Sequence, residues 1–243
     1  MNLIIDVGNS YIKLAVFSNN TLKHRAIVNH DQLIETVVAL KEQFNSLKKG
    51  IISSVGKLND KQLAEIKGLL ELSILDSNTR LPFKNRYETP ETLGVDRMAL
   101  VSASVRQFSK ENVLIIDAGT CITYDFINNK NDYLGGAISP GLRMRYRSLN
   151  NLTANLPLLD TEMPNDITGV STKESIHSGV VHGILNEIDG VIETYKLKYS
   201  DLTVILTGGD ANFLSKQLKS SIFANSNFLL EGLNFILQFN SNE

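Results

Sequence analysis

One stretch occurs twice in this sequence, and the duplication constrains the fold more than any other feature. Leu3-Ile4-Ile5-Asp6-Val7-Gly8-Asn9-Ser10-Tyr11-Ile12-Lys13 returns later as Leu114-Ile115-Ile116-Asp117-Ala118-Gly119-Thr120-Cys121-Ile122-Thr123. Each copy is an apolar run, then Asp-x-Gly with polar residues, then a second run rich in β-branched and aromatic residues. Runs of this kind bounded by glycine read as buried strands joined by a tight hairpin. In the turn the backbone amides leave the ladder and converge, forming a concavity suited to an anion such as phosphate. Asp6 and Asp117 stand at the lips of the two turns, where a hydrated magnesium ion could bridge a carboxylate to phosphates. Two such hairpins facing one another would hold a nucleotide polyphosphate between two related domains.

The 243 residues suffice for one large domain or for two of about 120. The repeat favours two, 1–110 and 111–243, since no composition shift marks a linker. A net charge of −2 argues against a broad nucleic-acid footprint. Cys121 is the single cysteine, which excludes an intramolecular disulfide and a cysteine-based zinc site. With no apolar run of about 20 residues and no secretory segment at the start, a cytoplasmic protein without a membrane span is expected.

Along the chain, Thr21–Val28 continues the first hairpin as a third strand. Asp31–Lys49 carries apolar residues at helical spacing, with Asp31 as its cap and Gly50 as its stop. A short strand over Ile51–Val55, a helix over Asn59–Leu70 and a strand at Ser73–Leu75 follow. The stretch from Asn78 to Pro90 reads as a long loop of the kind that carries function. Glu91–Phe108 is expected to be helical, with Gly94 interrupting its pattern, which suggests close approach of something to the backbone. The second half repeats the meander, with Asp132–Ser139 as its third strand. Helices are expected over 142–155 and, interrupted, over Lys173–Tyr199, and a strand over Leu202–Leu206 runs into Thr207-Gly208-Gly209-Asp210. That turn reads equally as a structural feature or as an adenine neighbour.

Gly-x-x-x-x-Gly-Lys-Ser/Thr, Gly-x-Gly-x-x-Gly, His-Glu-x-x-His and Gly-x-Ser-x-Gly are all absent. His177 and His182 are badly spaced for one helix face and read as core or surface histidines. Ser53 and Ser54 read as a strand end, with no base nearby to activate them. In the basic run Arg143-Met144-Arg145-Tyr146-Arg147, Arg145 is expected on a solvated face. Arg143 and Arg147, four apart, are placed to reach the cleft or a partner.

Asp6-x-Gly-Asn9-Ser10-x-x-Lys13, Gly94-x-Asp96-Arg97, Asp117-x-Gly-Thr120-x-x-Thr123-x-Asp125 and Gly135-Gly136-x-Ile138-x-Pro140-Gly141 occur together, in this order. The combination resembles type III pantothenate kinase over essentially the whole chain, and each half resembles the actin, Hsp70 and sugar-kinase superfold. Ser10 stands where threonine is common in that family, and Met98 where an aromatic often follows the Asp-Arg pair; neither change removes a charge or a backbone donor. The resemblance implies an α/β, duplicated actin-like (ribonuclease H-like) fold with two domains around a nucleotide cleft. It implies transfer of the ATP γ-phosphate to the primary hydroxyl of pantothenate, in coenzyme A synthesis.

By the same resemblance, Asp6, Val7, Gly8, Asn9, Ser10, Tyr11, Ile12 and Lys13 form the first phosphate loop, with Lys13 near the polyphosphate and Asp6 available to magnesium. Asp117 takes a monovalent cation, potassium or ammonium, and Thr120 contacts ATP. Tyr87, Gly94, Val95, Asp96, Arg97 and Thr172 hold pantothenate, with Asp96 as the base. The resemblance also implies a homodimer, with Thr172 serving the neighbouring subunit's pocket. Phosphoryl transfer asks mainly for positioning and charge neutralisation, so a carboxylate within hydrogen-bond reach of the hydroxyl is a sufficient base. Arg97 suits bidentate capture of the pantothenate carboxylate. Two other readings stand beside this one: a catalytically silent regulatory protein of the same fold, and a kinase for another small hydroxylated substrate.

Overall fold

The computed structural model describes residues 1–54 and 58–241. The chain divides into two compact units: Met1–Ser109 with Asn131–Tyr133 and Asn227–Glu243, and Lys110–Lys130 with Leu134–Ser226. The last helix therefore groups with the first unit, where a single cut near residue 110 would place it with the second.

The first unit begins with strands β1 (Asn2–Val7), β2 (Ile12–Ser18) and β3 (Thr21–Val28), an antiparallel meander. Helix α1 (Leu33–Gln43), strand β4 (Lys49–Ser54), helix α2 (Asp60–Leu69) and strand β5 (Glu71–Ile74) follow. Both β4 and β5 run parallel to β1, giving the sheet order β3-β2-β1-β4-β5. Leu3, Ile5, Val7, Ile12, Leu14 and Val16 all join one core with α1 and α2. Because side chains alternate along a strand, Ile4, Asp6 and Lys13 face the other way.

The first helix differs from its sequence expectation. Asn29, not Asp31, sits at its start in a reciprocal capping box with Gln32, ahead of a 3-10 turn over His30–Gln32. At the other end the helix stops at Gln43, and Gly50 is already inside β4. The tail of the expected 51–55 strand, Val55, lies outside the described residues. The second helix behaves as expected, with the Asn59 side chain accepting from the Gln62 amide at 2.8 Å.

A two-residue strand β6 (Lys84–Asn85) interrupts the long loop, and helix α3 (Val95–Gln107) follows. Gly94 does not interrupt that helix; it occupies the N-cap.

The second unit repeats the pattern. Strands β7 (Asn112–Ala118), β8 (Cys121–Ile127) and β9 (Asp132–Pro140) form the meander; helices α4 (Leu142–Asn151) and α5 (Thr172–Lys198) precede strand β10 (Leu202–Thr207). Short α6 (Ala211–Leu214) and strand β11 (Phe223–Ala224) complete it. Its order β11-β10-β7-β8-β9 is that of the first sheet, with β10 parallel to β7 as β4 is to β1. The duplication seen in sequence is thus a duplication of topology. Unlike the expectation, α5 is continuous, held by a buried stripe that includes Ile176, Val180, Ile184, Ile188 and Ile192.

The final helix α7 (Phe228–Ser241) lies in the first unit against α3. Buried Asn234 donates to the Asn19 carbonyl at 2.8 Å and accepts from the Asn2 side chain at 2.9 Å. A buried amide pays a desolvation cost unless it is bonded, and these two bonds tie α7 to the open end of the first strand pair, opposite its turn.

Candidate active site

In the first hairpin four residues, Gly8 to Tyr11, connect the last paired positions Val7 and Ile12, and the turn closes with Gly8 N–H donating to Tyr11 O at 3.1 Å. Asn9, Ser10 and Tyr11 are exposed at its tip, while Val7 and Ile12 are core residues that can serve a ligand only through the backbone. One pair further in, Asp6 stands directly opposite Lys13, and their side chains form an ion pair at 3.5 Å. Asp6 is 4% exposed. Burial pushes its carboxyl above the ordinary value; Lys13 pulls it part of the way back, and the negative charge of Asp96 adds to the rise. The hairpin carboxylate and the helix-start carboxylate are therefore electrostatic neighbours.

The second hairpin is one residue tighter. Gly119 to Cys121 join Ala118 to Ile122, and Gly119 N–H donates to Cys121 O at 2.9 Å. Opposite Asp117 stands neutral Thr123, where the first hairpin has a lysine. Gly208, at φ +98°, brings bare backbone to this carboxylate: a Cβ there would come within 2.4 Å of Asp117 Oδ1 and 2.3 Å of the Ala118 carbonyl oxygen. The Ala118 carbonyl oxygen accepts from Asp210 N–H at 2.9 Å, which fixes the Gly208 turn beside the Asp117 carboxylate. Thr120 is exposed on this turn, and its carbonyl accepts from Gly141 N–H at 3.1 Å.

Gly94 caps α3, and its missing side chain has a local cause. A Cβ there would lie 2.4 Å from Asp96 Oδ1. The Asp96 carboxylate folds back over the helix start, where Oδ1 accepts from the Arg97 amide at 2.9 Å. Val95 is half-buried at the first helical position. Arg97 is 5% exposed, its guanidinium carbon 5.5 Å from the Tyr87 ring centre and 6.0 Å from that of Tyr133. Asp6, Lys13, Tyr87, Gly94, Val95, Asp96 and Arg97 all belong to the first unit; Asp117, Thr120 and Thr172 belong to the second. Exposed Thr172 opens α5 beside Ser171, whose hydroxyl caps the helix by accepting from Glu174 N–H at 3.2 Å. Both line a cavity of about 930 Å³ with Val170, Ile176 and Arg145.

Within the basic run, Arg145 differs from its expectation. Arg145, expected on a solvated face, donates from Nε to the Pro140 carbonyl at 2.9 Å and from Nη2 to Ser139 Oγ at 3.1 Å, and it pairs with Glu187. Tyr124 donates to the same carboxylate at 2.8 Å. Burial alone would raise the Glu187 carboxyl, but the bonds from Arg145, Tyr124 and Ser139 hold it below its usual value. Arg143 has the more exposed side chain and pairs with Asp210 at 2.9 Å. His177 is buried and bonded to Tyr146 at 2.8 Å, a core histidine as expected.

The family model for type III pantothenate kinase matches residues 2–194. A Christiangramia forsetii protein named type III pantothenate kinase is 51% identical over the full length of both chains. The chain belongs to the type III pantothenate kinase family. The matched residues span every candidate site position of this type III pantothenate kinase chain, whereas β10, α6, β11 and α7 lie beyond them. Among solved structures, a Campylobacter jejuni protein assigned to the Baf family of transcriptional activators is similar at TM-score 0.67 and 24% identity, covering 99% of this chain and 100% of its own. A ROK family glucokinase from Streptomyces griseus, solved with glucose and AMPPNP, is similar at TM-score 0.51 and 11% identity, with 98% of each chain covered. At those identities the likeness concerns the fold alone, and that fold is the duplicated actin-like kinase architecture.

Proposed function

We propose that this chain transfers the ATP γ-phosphate to the primary hydroxyl of pantothenate, giving 4'-phosphopantothenate, the first step of coenzyme A synthesis. The observation that carries this reading is the grouping of the Asp6–Lys13 hairpin with the Asp96–Arg97 helix start in one unit of a chain from this family. Phosphoryl transfer needs in-line placement and neutralised charge more than covalent help from the protein. Asp96 has one oxygen fixed by the Arg97 amide, which leaves Oδ2 to take the proton from the attacking hydroxyl. Arg97 holds the pantothenate carboxylate, beside Tyr87, Gly94 and Val95. A planar five-donor fork suits that task better than an ammonium.

Gly8 to Tyr11 cradle phosphate oxygens through the backbone, and Lys13 supplies positive charge to them. Asp6 is the residue that would hold magnesium. The metal would neutralise polyphosphate charge, and Asp6, buried at the cost of a raised pKa, fits a cation partner. Thr120 contacts ATP from the second hairpin, and Asp117, with neutral Thr123 opposite it, takes a monovalent cation. The unequal cross-strand partners divide the labour: Asp6 faces a lysine that serves phosphate, and Asp117 faces a neutral threonine. The active form is a cytoplasmic homodimer in which Thr172 serves the neighbouring pocket. No described helix is long and apolar enough to cross a membrane.

ATP consumption with pantothenate and Mg²⁺, with and without potassium or ammonium, tests this directly. Cation-dependent turnover is expected, with the dependence lost in Asp117→Asn. Asp96→Asn should lose nearly all turnover yet still bind pantothenate. Substantial activity in that variant would remove Asp96 as the base, and absence of pantothenate binding to the wild type would redirect the search to another acceptor alcohol.

A further inference from the structure

Tyr133 did not stand out in the sequence, yet it is the most enclosed aromatic residue near the proposed carboxylate site. It is 0% exposed. Its ring lies 6.1 Å from that of Tyr87 at an interplanar angle of 26°, and Phe83 meets it edge-on at 5.9 Å and 68°. The Arg97 guanidinium lies within 6.0 Å of the centres of both tyrosine rings. All four residues belong to the first unit, where the start of β9 groups with β6.

The backbone fixes this cluster. Strand β6 runs parallel to the start of β9 with Asn85 opposite Tyr133. Lys84 N–H donates to the Asn131 carbonyl at 2.9 Å, and Arg86 N–H to the Tyr133 carbonyl at 3.0 Å. The Arg86–Asp132 ion pair at 3.3 Å adds a side-chain clasp, and the Asn85 side chain accepts from Tyr87 N–H at 2.9 Å. Two short stretches far apart in sequence thereby hold Tyr87, Tyr133 and Phe83 in one register.

We propose that Tyr133, backed by Phe83, is a positioning residue that acts through Arg97 and sets the affinity for the carboxylate end of the substrate. The inference rests on the pantothenate reading above. Aromatic faces attract a guanidinium while leaving its N–H edges able to donate in plane. A fork held in this way has already given up much of its rotamer freedom before substrate arrives, so less is lost on binding. The effect belongs to recognition of the carboxylate, not to transfer of phosphate, so it acts on KM and leaves kcat alone. It also vanishes for a substrate that lacks the carboxylate.

The test compares pantothenate with pantothenol, which carries a primary alcohol in place of the carboxylate, in the full chain. For pantothenol the KM is read, or the inhibition constant if it is not turned over. Tyr133→Leu should raise the pantothenate KM roughly tenfold, as loss of a desolvated cation–π wall would. In that variant kcat stays within about twofold and the pantothenol constant is unchanged, while Tyr133→Phe, which keeps the ring face, leaves the ratio of the pantothenate to the pantothenol constant as in wild type. Equal weakening for both compounds, or a fall in kcat at constant KM, overturns the proposal. If Tyr133→Leu does not fold, Phe83→Leu carries the same comparison, with a rise of roughly twofold confined to pantothenate expected from the lost edge contact; an equal change for both compounds overturns it. A wild-type chain that binds pantothenate and pantothenol equally well also overturns it, and one without pantothenate turnover overturns the functional reading as well.

Discussion

At the scale of single residues, Asp6 shows what burying a hairpin carboxylate costs. A carboxylate with a raised pKa binds its proton more tightly in the folded chain than in the unfolded one. Its contribution to stability therefore falls as pH rises from the ordinary carboxylate range through its folded pKa. Above that folded pKa the full penalty is present, and Lys13, a third exposed, offsets only part of it. Asp6→Asn should accordingly raise the melting midpoint of the ligand-free protein at pH 7, with the gain shrinking as pH falls towards about 4, while turnover is lost. Melting curves across that range check it; a destabilised variant at pH 7 would mean that the lysine pair outweighs the burial. That lysine and carboxylate flank one hairpin was legible in the sequence. Their direct opposition was not, because it depends on whether the turn holds four residues or three.

Helices contribute at the next scale, and two glycines separate packing from propensity. Gly232 in α7 faces α3 so closely that a Cβ would lie 1.9 Å from the Ala99 carbonyl oxygen. Gly232→Ala must push the helices apart, at a cost of about 1–3 kcal/mol, which for a chain of this size lowers the melting midpoint by several degrees. Gly190, exposed in α5, has open space where a Cβ would go. Gly190→Ala should stabilise by about 0.5–1 kcal/mol through helix propensity alone. Denaturant titration of both variants distinguishes them by sign. The stripe of β-branched and leucine residues along α5 marked a helix in the sequence, and burial of that stripe explains why its glycines do not break it. Arg145 was misjudged for a related reason. Its exposure depends on Glu187, 42 positions away, and on the carbonyl of Pro140, neither of which leaves a mark on local periodicity.

For the whole molecule, the proposed dimer makes a prediction that a monomeric enzyme cannot satisfy. If Thr172 completes the neighbouring subunit's pocket, Asp96→Asn and Thr172→Arg chains should each be inactive alone. Co-expressed, they should recover activity in roughly a quarter of sites, since random pairing gives half mixed dimers with one intact site each. Absence of recovery in mixed dimers would place Thr172 in its own subunit's pocket, and an active Thr172→Arg chain would place it outside any pocket.

What the sequence determined by itself was the repeated strand–turn–strand chemistry and, through it, the duplicated fold. The hairpin signal is carried by residues adjacent in the chain: apolar runs fix the strands, and Asp-x-Gly fixes the turn between them. Gly94, Asp96 and Arg97 were legible for the same reason, since they lie within one turn of a helix start. Only the tertiary structure decided that the last helix completes the first unit, that Tyr133 walls Arg97, and that Arg145 is tied down while Arg143 is exposed. Each of these depends on contacts between residues tens to more than a hundred positions apart. Such pairings are chosen by close packing and by the need to satisfy buried polar groups, and neither constraint is written in the order of neighbouring residues.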